Sequence, residues 1–201
     1  VNNQPAFALV HADESCLGNG MDGDNPGGAS SLVELKTAES IVRYDVYISA
    51  AATTNNRMAL SGAIATLALL AEHYRRLRIV YVSDSQYLVK GMTEWVPGWR
   101  TRGWRRKGGS IENLELWKRL VKIAESHVCT WQWVRGHAGH AKNEYANDLA
   151  IAAATEQMIS QGMVESGFPD WLAQKSARGQ FVEYDPDKSV TEIAEELAPK
   201  S

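Results

Sequence analysis

Residues 78–84 read RIVYVSD. Ile79, Val80, Tyr81 and Val82 follow one another without a polar break, in a run too short for a helix and rich in β-branched and aromatic side chains. Such a run predicts a strand buried on both faces, as a central strand between two helical layers must be. The chain leaves it at Asp84, at the carboxyl end of the strand, where open α/β sheets carry their crevices. A second strand is predicted over PAFALVHA (5–12), with Asp13 at its end. Aspartates closing two such strands can bridge a divalent cation; capping and loop roles are the alternatives.

Working outward, extended runs are expected around 30–36 and 40–50 and at VCTWQWV (128–134). ALSGAIATLALLAEHYRR (59–76) carries Leu60, Ile64, Leu67 and Leu70 at helical spacing, with Asn55 or Asn56 placed to cap it. Further helices are predicted over about 113–126 and 142–160, and a short one after Asp84. Residues 161–188 read as irregular. SVTEIAEELA predicts a terminal helix with a Ser189/Glu192 capping box and an apolar stripe of Val190, Ile193 and Leu197. The order implies an α/β fold, a mixed five-stranded sheet flanked by helices, over residues 1–155, with 156–201 as an acidic C-terminal extension.

The chain has 201 residues, a net charge of −3 and two cysteines. Cys16 and Cys129 are expected as reduced thiols of a cytoplasmic protein, a monomer. VNNQPAF has no basic segment before an apolar run, so no signal peptide is expected. The charge is uneven: Arg100, Arg102, Arg105, Arg106 and Lys107 lie in one short stretch without an acid, while the extension holds nine acids against four Lys and Arg. A polyanion-binding surface is therefore expected in the first part of the chain.

ADESCLGN, TTNNRMAL, SDSQYLVKGMTEWVPGW, RGW, LW, WQWVRGHAGH and NEYANDLA resemble, in order and spacing, the segments of type 1 ribonuclease H across about residues 5–155. The resemblance implies binding of an RNA–DNA hybrid duplex. It also implies endonucleolytic cleavage of the RNA strand with two Mg²⁺ ions (Mn²⁺ as a substitute) held by four carboxylates. Asp13 and Asp84 match two of these, and His137 matches a histidine on a mobile loop. Ala59 stands where the family has Glu, Asn147 where it has Asp, and Glu14 replaces a glycine beside Asp13. Strand alternation points Glu14 to the face opposite Asp13. Asp148 is turned by about 100° from Asn147. Neither is expected to reach the metals, and Asn147 offers only a weak neutral oxygen. The expectation is a site of about −2 formal charge that binds metal weakly, with cleavage lost or severely impaired. Natural decay and an engineered substrate trap both fit the substitutions. The alternatives are an active enzyme that uses one metal or recruits Glu14 or Asp148, and a module that binds a protein partner, or the chain itself, through its acidic tail.

By the same resemblance, Asn19, Asn55, Asn56 and Gln86 read the minor groove of the hybrid. Thr54 belongs to a phosphate pocket, and Trp99, Arg100, Arg102, Trp104 and Arg105 form a protrusion against the DNA strand. Helix capping is the bland reading of the Asn pair. Trp117, Trp131 and Trp133 are expected in the core; His11, His73, His127 and His140 are expected to be structural or exposed. The insertion GMDGD (20–24) is placed near the substrate.

Overall fold

In the computed structural model, residues 5–18, 25–136 and 139–197 are described. The central strand lies where its apolar run predicts, as β4 (Arg78–Ser83). It is flanked by β1 (Phe7–Cys16) and β5 (Val128–Trp133), both parallel to it. β2 (Gly27–Lys36) and β3 (Ile41–Ala50) continue the sheet antiparallel. The sequence predicts five strands; the structure has a sixth, β6 (Val164–Glu165), which pairs with β3 and gives the order β5-β4-β1-β2-β3-β6.

β1 does not stop at Asp13 but runs on along β2 to Cys16, whereas its pairing with β4 ends at Ala12↔Ser83. Asp13 and Glu14 therefore stand just beyond the last residues that β4 flanks.

One face of the sheet is covered by α1 (Asn55–His73) and α4 (Leu114–Ala124). Ala8, Val10 and Ala12 of β1 meet Ala59, Ala63 and Leu67 in that core. α1 is capped by Thr54, whose hydroxyl accepts from the Arg57 amide at 3.3 Å, and not by Asn55 or Asn56. Between the two helices the chain forms α2 (Gln86–Lys90), a π turn at Gly91–Trp95 and α3 (Val96–Thr101). α5 (Ala141–Glu156) lies on the opposite face. It packs so closely that a Cβ on Gly28 would come within 2.3 Å of the Ala150 carbonyl oxygen.

The extension, expected to be irregular over 161–188, supplies β6 and α6 (Phe168–Ala177) before α7 (Lys188–Leu197). Phe168, Trp171 and Leu172 recur at helical spacing and pack against Leu32, Tyr145 and Leu149. The stripe on α7 is as the sequence predicts: Val190, Ile193 and Leu197 cover Phe7, Leu9, Val80 and Val82. Ser189 does not act as a cap; it lies inside α7 and accepts from Lys142 Nζ at 2.8 Å.

Two buried acids fasten the extension. Glu34 on β2 accepts from Lys142 Nζ at 2.6 Å and Arg43 Nε at 2.9 Å, and Arg43 also pairs with Asp187. Asp45 on β3 accepts from the Tyr145 hydroxyl, from Ser166 at 2.7 Å and from the Gly167 amide at 3.0 Å. The extension thus packs on the strands of the sheet as well as on α5.

Candidate active site

The carboxylates gather where the β1–β4 pairing ends. Asp13, on the α5 side, is only 7% exposed and accepts from Asn143 Nδ2 at 3.2 Å and from the Glu14 amide at 2.7 Å. Asp84 follows β4. The loop leaving β5 passes so close to it that a Cβ on Gly136 would lie 2.3 Å from Asp84 Oδ2. Any side chain at 136 would displace that carboxylate.

The expectation for Glu14 is corrected by the structure. Carboxylate oxygens of Asp13, Glu14 and Asp84 all lie within 4.8 Å of one another. Alternation fixes the direction of Cβ but not the reach of a side chain with three rotatable bonds. With no β4 residue beside it, Glu14 extends across the strand end, on the side where the Ser85 hydroxyl favours its charged form. Its face of β1 is that of Ala8, Val10 and Ala12, the face on which Ala59 is buried. Glu14 thus approaches from the side on which a glutamate at position 59 would lie.

The cluster is electrostatically tense. Burial, and then repulsion by Asp84, pushes the Asp13 carboxyl up to about 7. Glu14 is pushed up to about 8 by burial and by the charges of Asp13 and Asp84. A compact set of hard oxygen donors that repel one another fits a divalent cation. Asn147 is half-buried on α5, one turn after Asn143, and Asp148 is exposed, bonded to the Trp171 indole at 2.9 Å and turned away from the cluster.

The RNase H family model matches residues 5–155. The chain belongs to the ribonuclease H family. A ribonuclease H of Pelobacter propionicus is 45% identical over 148 residues, covering 73% of this chain and 84% of that protein. The structure of LC9-RNase H1, described as a type 1 RNase H with the type 2 active-site motif, is 51% identical with a TM-score of 0.80, covering 88% of this chain and 85% of the other. That likeness exceeds residues 5–155 and so runs into the extension. A foamy viral protease-reverse transcriptase solved in complex with an RNA/DNA hybrid is 15% identical, with a TM-score of 0.62, covering 76% of this chain and 20% of that one; it shares the fold.

Within this ribonuclease H framework, the other sequence-predicted residues fall into three groups. Asn19, His137 and the insertion 20–24 lie outside the described residues. Thr54, Asn55 and Asn56 stand at the start of α1 and Gln86 at the start of α2, and the buried Asn55 Oδ1 has no hydrogen-bond partner among the described residues. In the basic segment, Arg100, Arg102 and Arg105 are exposed and Trp104 is half-buried. Arg100 pairs with Glu125 at 2.8 Å, and Arg102 Nε donates to the Arg105 carbonyl at 3.3 Å. Trp99 is 8% exposed and packs on Trp95 and Trp117, which leaves its ring little free face. Sequence reasoning missed Asn143, although it lies four residues before Asn147 on the same helical face. It also placed Trp133 in the core, whereas that indole is exposed.

Proposed function

We propose that this chain is a metal-dependent endoribonuclease that cleaves the RNA strand of an RNA–DNA hybrid, with Asp13, Glu14 and Asp84 as its metal-holding carboxylates. The observation that carries this reading is the convergence of the three carboxylates within 4.8 Å. It restores one of the two charges that the substitutions at positions 59 and 147 remove. The relative with the type 2 motif agrees with an acid placed differently from the type 1 pattern.

Hard oxygen ligands of this kind suit Mg²⁺ or Mn²⁺, with Asn147 as a neutral fourth oxygen. When bound, divalent ions supply neutralisation of the scissile phosphate and activation of water. The chain's own residues prepare for this. Asn143 orients Asp13, and the loop at Gly136 leaves Asp84 room beside it. Asn55, Asn56 and Gln86 read the minor groove, where amides distinguish 2′-hydroxyls, a role the resemblance also gives to Asn19. Thr54 takes a phosphate, and Arg100, Arg102, Arg105 and Trp104 take the DNA backbone. His137 assists proton movement or product release.

The test is a labelled RNA–DNA hybrid incubated with Mg²⁺ or Mn²⁺. The parent chain is expected to cleave the RNA strand alone, and Glu14→Gln to lower the rate by at least about a hundredfold. An intact RNA strand in the parent reaction would return the chain to a hybrid-binding protein without cleavage.

A further inference from the structure

Trp133 is the one exposed indole among the seven tryptophans, 47% exposed at the end of the edge strand β5. Its strand-mates on the same face, Cys129 and Trp131, pack into the core, with Trp131 set 4.9 Å from the Tyr81 ring. Two residues further on, the helical cover has ended. The indole is nevertheless anchored: Nε1 donates to the Asp84 carbonyl oxygen at 3.0 Å, and Trp133 sits opposite Ser83 in the parallel register. Its polar edge is thus satisfied by the backbone of a site residue while its apolar face stays open. Arg135, also exposed, follows on the same rim and makes no hydrogen bond or ion pair among the described residues.

We propose that Trp133 and Arg135 form a nucleotide platform on the β5 side of the carboxylate cluster. There the indole face packs on the sugar of the nucleotide next to the scissile phosphate, and the guanidinium takes a neighbouring phosphate. An anchored aromatic face beside an exposed cation suits the backbone of a duplex, whose sugars offer apolar surface between charged phosphates while its base faces stay stacked inside. The Asp84 contact puts this platform within one residue of the chemistry, so the strand it touches is the one being cut. The proposal rests on the reading of the chain as a hybrid ribonuclease. It assigns Trp133 two separable duties: its face binds, and its N–H steadies Asp84.

The parent, Trp133→Phe, Trp133→Leu and Arg135→Gln are titrated with a fluorescent RNA–DNA hybrid in EDTA over a range of salt, with a thermal melt of each. Trp133→Leu is expected to weaken binding about tenfold, and Trp133→Phe, which keeps an aromatic face, by less than about threefold. Arg135→Gln is expected to flatten the logarithmic salt dependence by about one. With Mg²⁺ added, Trp133→Phe lowers kcat more than it raises KM, because only the bond to Asp84 is lost. Leu and Phe variants that bind equally, whether as well as the parent or equally poorly, overturn the platform. A parent that binds no hybrid overturns the ribonuclease reading as well, which separates the two failures.

Discussion

Asn143 donates its side-chain amide to Asp13 Oδ2 at 3.2 Å, so the first turn of α5 is joined to the carboxylate end of β1 by a neutral group. The same turn carries Lys142, which reaches the other way to Glu34 and Ser189. α5 is held from both sides, by the site and by the extension.

If Glu14 does the work of a carboxylate on α1, the two positions can be exchanged. Glu14→Ala is expected to abolish cleavage of hybrid, and Glu14→Ala with Ala59→Glu to recover part of it, at least about tenfold over the single variant. Ala59→Glu alone adds a charge to a buried cluster that already repels itself, and is expected to lower the melting temperature in EDTA. Rates on a labelled hybrid and melts of the three variants check this.

Without metal, stability should fall as pH rises. The Asp13 and Glu14 carboxyls titrate at about 7 and about 8 in the folded chain, against about 4 when unfolded. The folded state therefore holds more protons across this window, and stability is lost as pH climbs through it. His11, half-buried and lowered to about 3 first by desolvation and then by Lys142 and His140, acts oppositely, but only below its unfolded value. Melts in EDTA between pH 6.5 and 8.5 thus isolate the carboxylates. The parent is expected to lose stability over that range and Glu14→Gln to show a flatter profile. Saturating Mg²⁺ should reverse the trend.

Lys142→Met leaves Glu34 buried with Arg43 as its remaining cationic bond, and is expected to cost about 3 kcal/mol. Lys142→Met combined with Glu34→Gln removes both charges and should cost less than the single change. Urea unfolding of the single and double variants measures the difference.

Asn147→Asp adds a fourth carboxylate to the face of α5 that meets β1. Divalent-ion binding by calorimetry is expected to tighten, while hybrid affinity in EDTA weakens through repulsion of the phosphate backbone. Unchanged values in both measurements would place Asn147 outside the site.

The central strand was legible to the residue, because Ile79–Val82 has no polar interruption and Arg78 and Ser83 bound it. The α7 stripe was equally plain. α6 was not, since Gly167 and Pro169 read as breakers although both lie at a helix start, where they are tolerated. The Glu34–Lys142 pair joins residues 108 positions apart, and no spacing rule connects them. Glu14 and Trp133 escaped for one shared reason. Alternation describes a strand inside a sheet, and both residues lie at ends, Glu14 past its parallel neighbour and Trp133 past its helical cover.

Two acids on consecutive residues of one strand share a rigid backbone, and the distance between them does not depend on how a helix docks. With Glu14 in that role, α1 need not aim a carboxylate, and position 59 answers only to the apolar packing around it. Sliding or retwisting of that helix, through drift in its core contacts, would leave the spacing of the Asp13–Glu14 pair intact. That pair tolerates change in its scaffold at the expense of greater crowding of like charge.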